Sequence, residues 1–200
     1  MTRKNQDKPL EGCEVLLCVS GGIACYKAAD LASKLVQAGA GVTVAMTDAA
    51  QRFIAPLTFQ SLTGRQVYTS LWQSTEHYEA AHVSPTAQAD LMIVAPATAD
   101  IIAKMACGLA DDLVSTMILA APVSCRVLAA PAMNTRMWEA PAVKENLSRL
   151  KKRGVHFVGP ESGRLACGTV GPGRMAEPAD ILAAARSLLL RSRPKRPSGK

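Results

Sequence analysis

The sequence predicts an α/β fold: a Rossmann-like (flavodoxin-like), doubly wound parallel sheet sandwich in a single domain. Three observations carry this. Short apolar runs without polar alternation recur along the chain, as in strands buried on both faces. Segments with apolar residues at helical spacing separate those runs, which is the βαβ rhythm of a parallel sheet. Only 4% of the 200 residues are aromatic while 48% are hydrophobic, so the core must be built from Ala, Val, Leu, Ile and Met.

The elements follow in order. "EVLLCVS" (14–20) ends at a glycine pair and reads as a buried strand. "YKAADLASKLVQ" (26–37) spaces Ala29, Leu31, Ala32, Leu35 and Val36 as a helix, and "AGAG" stops it. "VTVAM" (42–46) is the second strand, and "IAPLTFQSLTG" (54–64) a short helix closed by Gly64. "DLMIVAP" (90–96) is the third strand, followed over 99–121 by a helical pattern interrupted near Gly108. "CRVLAA" (125–130) is a fourth strand, stopped by Pro131. An amphipathic helix spans 139–154, with Pro141 in its first turn and Gly154 past its end. "VHFVGP" (155–160) is a fifth strand, and 178–190 the closing helix.

Two hundred residues suffice for one full core. The body of the domain is expected at 12–190, between a disordered N-terminus (1–11) and a basic, disordered tail (191–200). That tail, "RSRPKRPSGK", holds five of the +7 net charges, so the rest of the chain is close to neutral. The body carries no basic stripe with interleaved aromatics, and a nucleic-acid partner is not expected. No apolar run is long enough to span a bilayer, and "MTRKNQDKPLEG" has no signal-peptide centre, so no membrane partner and a cytoplasmic location are expected. The six cysteines form no CxxC pair and no zinc-type cluster; Cys18 and Cys125, in or beside strands, read as small buried hydrophobes.

In such sheets ligands bind beyond the carboxyl ends of the strands. After the first strand comes "SGGIA" (20–24), where Gly21 and Gly22 permit close approach and a helix start offers N–H groups to phosphate; an ordinary tight turn is the other reading. Thr47, not an acid, stands at the tip of the second strand, so a mononucleotide phosphate held by Ser20, Thr47 and backbone N–H groups fits better than a dinucleotide. "APATAD" (95–100) suits either a flat ring or a plain helix start with Thr98 as N-cap. Asn134 in "PAMNTRMW" (131–138) either satisfies its own turn or aims a carboxamide at a carboxylate. Asp111 and Asp112 open a helical stretch and can serve as its cap. His82 is a lone histidine before the third strand, as open to a structural as to a catalytic role. Cys167 lies in the glycine-rich "GRLACGTVGPGRM" (163–175), where a buried structural cysteine is out of place.

Together and in order, these segments resemble the flavin-dependent cysteine decarboxylases, and among them the branch acting in coenzyme A biosynthesis. The matching pieces are "SGGIACYK" (20–27), His82, "ADLMIVAPATADIIAKMACGLADDLVST" (89–116), "PAMNTRMW" (131–138) and "GPESGRLACGTVGPGRMAEP" (159–178). The resemblance implies FMN as cofactor, held by Ser20, Gly21, Gly22, Ile23, Thr47 and Phe53, by Pro96, Ala97, Thr98, Ala99 and Asp100, and by Ala132 and Met133. It implies His82 as active-site base and Asn134 as holder of the substrate carboxylate, with Met137, Ala166 and Gly168 beside the substrate. It implies that 163–175 is a mobile clamp with Cys167 as proton donor. The implied reaction converts 4'-phosphopantothenoyl-L-cysteine to 4'-phosphopantetheine through thioaldehyde and enethiol intermediates. The implied assembly is a homotrimer, or a homododecamer of trimers, with active sites between subunits.

Two features depart from the commonest bacterial pattern. Cys25 stands where alanine is expected, and no second, CTP-using domain follows within 200 residues, so either a stand-alone decarboxylase or a piece of the two-domain protein is expected. Relatives that decarboxylate peptidyl-cysteine stop at the enethiol and do not need Cys167. Non-redox relatives that prenylate flavin are not expected to carry "PAMN" with the cysteine clamp, and regulatory relatives that inhibit a phosphatase tend to carry long acidic tails.

Overall fold

The computed structural model describes residues 8–72, 84–166, 168 and 170–192. Six parallel strands form its central sheet: β1 (Glu14–Val19), β2 (Gly41–Met46), β3 (Val67–Tyr68), β4 (Leu91–Ala97), β5 (Arg126–Pro131) and β6 (His156–Phe157). Their order is β3-β2-β1-β4-β5-β6. The chain winds outward from β1 to β3, then returns to lay β4 on the other side of β1. The connections leaving β1 and β4 therefore diverge, which opens a crevice at the carboxyl ends of those two strands.

The continuous apolar runs are explained by helices on both faces. Val15, Leu17 and Val19 of β1 join one core with α1 (Cys25–Gln37), α3 (Pro56–Thr63) and α9 (Pro178–Ser192). Leu16 and Cys18, pointing the other way, join a second core with α5 (Ala99–Cys107), α6 (Leu113–Leu119) and α8 (Pro141–Lys152). In β4, Leu91 and Ile93 alternate with Met92 and Val94 in the same manner. The central residues of β1 and β4, Val15–Val19 and Leu91–Val94, are therefore apolar at every position.

The five strands and the longer helices expected from the sequence are present. The break at Gly108 is real: its φ of 72° ends α5, and Asp112 starts α6 with a capping box to Ser115. Other elements are additions: the edge strand β3, and the short helices α2 (Asp48–Gln51), α4 (Ser84–Gln88) and α7 (Thr135–Glu139). Packing also begins ahead of the boundary expected at residue 12, since Leu10 is fully buried and its N–H donates to the Ala38 carbonyl at 2.9 Å. At the other end α9 runs to Ser192, and residues 193–200 lie outside the described residues, as do 1–7. Among the described residues no helix is long and apolar enough to cross a membrane.

The glycine-rich segment is a second, antiparallel sheet and not a plain loop. β7 (Glu161–Arg164) pairs with β8 (Val170–Arg174). Two of its glycines are required by close approach. A Cβ on Gly173, whose φ is 138°, would overlap the Met133 carbonyl oxygen, and one on Gly171 would stand 2.7 Å from Thr135 Oγ1. The Met133 N–H donates to the Gly173 carbonyl at 2.9 Å. The hairpin therefore lies directly on the turn that follows β5.

Candidate functional site

A cavity of about 880 Å³ opens at the carboxyl ends of β1, β2, β4 and β5 and is covered on one side by the hairpin. That volume lies toward the upper end of the roughly 300–1,000 Å³ usual for small-molecule sites. Three of its walls are helix starts closed by a side chain. Thr47 Oγ1 accepts from the Ala50 N–H at 3.1 Å, Thr98 Oγ1 from Ile101 at 3.4 Å, and Asn134 Oδ1 from Arg136 at 2.8 Å. The fourth wall differs. The turn that leads into α1, Gly21–Ala24, lines the cavity and has no capping side chain, while the Cys25 and Lys27 N–H groups of the first turn donate to the Gly22 and Ala24 carbonyls at 3.0 Å each.

Both readings offered for each strand end contain part of the answer. Thr47, Thr98 and Asn134 cap helices and also line the cavity. Oδ1 of Asn134 accepts in the cap, and the donors of its carboxamide are on the nitrogen. Ser20 is chiefly a stitch across the crevice. It is buried, its hydroxyl donates to the Pro96 carbonyl at 2.7 Å, and its Oγ accepts from the Thr98 N–H at 3.3 Å. Gly21 is glycine for packing, because a Cβ there would stand 2.4 Å from the Ala49 Cβ. Gly22 is not crowded by protein atoms, with only Thr98 Cγ2 at 3.6 Å.

The charges lining the site are mostly paired. Lys104 Nζ stands 2.7 Å from Asp112, 3.0 Å from Asp111 and 3.6 Å from Asp100. The hydrogen bond to Asp112 leads the effects that hold its ammonium well above the usual lysine range. Lys27, buried in α1, donates to the Met175 carbonyl at 3.0 Å and to Glu177 at 2.9 Å. Glu177 also pairs with Arg174, and the hydrogen bond from Lys27 is the main cause of its lowered pKa. This three-charge knot fastens the foot of the hairpin to α1. The Lys27 pairing joins residues 150 apart in sequence.

Most residues expected at the site meet there. Ser20, Gly21, Gly22, Ile23, Thr47, Thr98, Ala99, Asp100, Ala132 and Met133 line the cavity, as do Asn134, Met137 and Ala166. Four do not. Pro96 and Ala97 are buried inside β4, where Pro96 contributes its carbonyl to Ser20, and Phe53 and Gly168 are exposed outside the lining. His82 and Cys167 lie outside the described residues. Residues of the lining that the sequence reading missed are chiefly charged: Lys27, Lys104, Asp112, Arg164 and Arg174. Lys27 and Lys104 sit inside matched motifs, but nothing local distinguishes a helix lysine that faces inward.

Of the remaining cysteines, Cys13, Cys18, Cys25 and Cys125 are buried packing groups, while Cys107 is exposed. Burial pushes the Cys125 thiol up to about 11 and raises Cys18 further. Cys25 is buried at the start of α1, and its thiol donates to the Ser20 carbonyl at 3.3 Å. Among the described residues no three His, Cys, Asp or Glu side chains gather as a metal site.

Comparison with known proteins bears on the same region. The model of the family described as Flavoprotein matches residues 3–190. The chain is 52% identical over 173 residues to the coenzyme A biosynthesis bifunctional protein CoaBC of Bacillus subtilis, covering 86% of this chain and 42% of that one. The chain thus spans less than half the length of such two-part relatives. It is 44% identical over 164 residues to a probable phosphopantothenoylcysteine decarboxylase of Streptococcus mutans, covering 82% of this chain and 92% of that protein. Among solved structures, a PPC decarboxylase mutant complexed with pantothenoylaminoethenethiol superposes with a TM-score of 0.78 at 30% identity, covering 88% of this chain and 97% of the other. The FMN-dependent cysteine decarboxylase SpaF gives a TM-score of 0.78 at 28% identity, covering 90% and 97%.

Proposed function

The chain belongs to the Flavoprotein family, and on that premise we propose that it is an FMN-dependent decarboxylase converting 4'-phosphopantothenoyl-L-cysteine to 4'-phosphopantetheine and CO2 in coenzyme A biosynthesis. The observation that carries the reading is the cavity itself. It joins an uncapped helix start to the Asn134 turn under a hairpin that bears the cysteine segment. The donor set fits FMN: backbone N–H groups at Gly21–Ala24 for a phosphate, small residues at Gly22, Ala99 and Ala132 for a flat ring, and hydroxyls at Thr47 and Thr98 for a ribityl chain. FMN, when bound, supplies reversible hydride acceptance, so that CO2 is lost with no net oxidation.

The roles of the chain's own groups follow from their chemistry. His82 takes the proton of the substrate thiol, a task suited to an imidazole that titrates near neutrality. The Asn134 amide nitrogen orients the substrate carboxylate without a fixed positive charge. A cation there would stabilise the carboxylate before CO2 leaves and so raise the barrier. Cys167 supplies the proton that, together with the hydride a reduced flavin would return, would convert the enethiol to the saturated thiol. The hairpin and the apolar lining keep water from the reacting carbon.

The protein is further read as a homotrimer, alone or grouped into dodecamers, working in the cytoplasm. Exposed Ile23 before α1, Tyr26 in α1, Phe53 before α3 and Leu57 in α3 support the assembly. Buried, unpaired Cys13, Cys18, Cys25 and Cys125 suit a reducing compartment. Incubation with phosphopantothenoylcysteine, followed by mass analysis, tests the reaction. A yellow protein and a product lighter by CO2 are expected, and Cys167→Ser should release CO2 yet accumulate a product two hydrogens lighter. Unchanged substrate with a yellow oligomer favours a regulatory flavoprotein, and normal thiol from Cys167→Ser removes that cysteine from the last step.

A further inference from the structure

We propose that Arg164 receives the phosphate of the substrate and so sets the preference for phosphorylated over unphosphorylated pantothenoylcysteine; this rests on the function proposed above. Four cations line the cavity: Lys27, Lys104, Arg164 and Arg174. Three have ion-pair partners in place. Lys27 and Arg174 share Glu177, and Lys104 is surrounded by Asp100, Asp111 and Asp112. Arg164 makes no ion pair and no hydrogen bond to any described residue.

Its position is particular. Arg164 is the last residue of β7, opposite Val170, and the next two residues, Leu165 and Ala166, also line the cavity. Arg174 on the partner strand instead folds across the hairpin, where its Cδ and Nη1 would stand 3.4 Å from a Cβ at Gly163. The one cavity cation with no ion-pair partner among the described residues thus belongs to the covering hairpin and not to the wall. A planar guanidinium with five donors is suited to a phosphomonoester dianion, which it can grip bidentately.

Two phosphomonoesters would share this cavity, that of the cofactor and that of the substrate. The first has a donor set at the uncapped start of α1. The second has none on the wall, where Asp48 and Asp100 contribute negative charge. Arg164 supplies it. The far end of the substrate is then held by the hairpin that covers the cavity.

The test compares turnover of phosphopantothenoylcysteine and pantothenoylcysteine by the flavin-loaded protein. Arg164→Gln should lower the ratio of kcat/KM for the two compounds about 10- to 100-fold, mainly through KM of the phosphorylated one. Arg164→Lys should restore part of it, which a merely misfolded hairpin would not allow. A ratio unchanged within about twofold overturns the proposal while leaving the proposed reaction intact. So does a ratio unchanged with FMN, but not riboflavin, bound more weakly by the Arg164→Gln apoprotein, since the arginine would then serve the cofactor. A wild-type protein that turns over neither compound overturns the proposed reaction and this assignment with it.

Discussion

The cavity has two sides built on different principles. The wall, at the ends of β1, β2, β4 and β5, is an outgrowth of the sheet, and each of its loops inherits its position from a strand buried in two cores. The hairpin has no core of its own. Two glycines set it against the turn after β5, and one carboxylate, Glu177, ties its foot to Lys27 and Arg174. A wall fixed by burial suits a cofactor that stays. A cover fixed by a few contacts suits a substrate that must enter and leave.

Substitutions should separate the two sides. Leu17→Ala, which opens a cavity in the fully buried middle of β1, should cost about 2–5 kcal/mol of global stability by denaturant titration. Its kcat at low temperature should stay near that of the unaltered protein. An equal loss of turnover would mean that wall and cover are not separable. Gly173→Ala should show the converse. Its Cβ meets the Met133 carbonyl at a φ that disfavours alanine, so the hairpin must lift. Turnover should fall at least about tenfold while global stability drops by about 1–2 kcal/mol or less, since the strain is local. Normal turnover would show that the hairpin contact is not needed for closure.

The smallest effect concerns acid. The carboxyl of Glu177 titrates lower in the folded protein, chiefly through its hydrogen bond from Lys27. Its stabilisation is therefore complete above the unfolded value of about 4.3 and is lost as pH falls below that through the folded value. Because Glu177 is partly exposed, the pair is screened. Glu177→Gln should cost under about 1 kcal/mol at pH 7, and the difference should shrink as pH falls below the ordinary glutamate range. A difference that grows in acid would assign the fastening to another group.

What the sequence made legible divides along the same line. The wall was readable because its signals are local: apolar runs for β1 and β4, a glycine stop at Gly108, hydroxyl and amide residues at strand ends. Thr98 and Asn134 were recognisable as candidates for cap and lining alike, and they are both. The cover was less legible. Glycines at 163, 168, 171 and 173 suggested a loop, yet most of the segment is paired strand, because Gly171 and Gly173 answer to close approach rather than to turning. β3 and β6 have only two residues each and exist because a neighbour offers hydrogen bonds. Lys27 and Lys104 carry no sign in their neighbourhoods that they turn inward, since the partner of the first lies 150 residues away.

Asn134 closes α7 with one end of its side chain, through Oδ1 to the Arg136 N–H. On the role proposed for Asn134, one position meets two requirements, the start of a helix and the recognition of a ligand. Aspartate would preserve the cap and surrender the donor, while glutamine would preserve the donor and lose the short reach that capping needs. On that proposal a drifting sequence has almost no neighbouring solution at this position, and the tolerance of the site to mutation is narrower than its half-buried place before a five-residue helix would suggest.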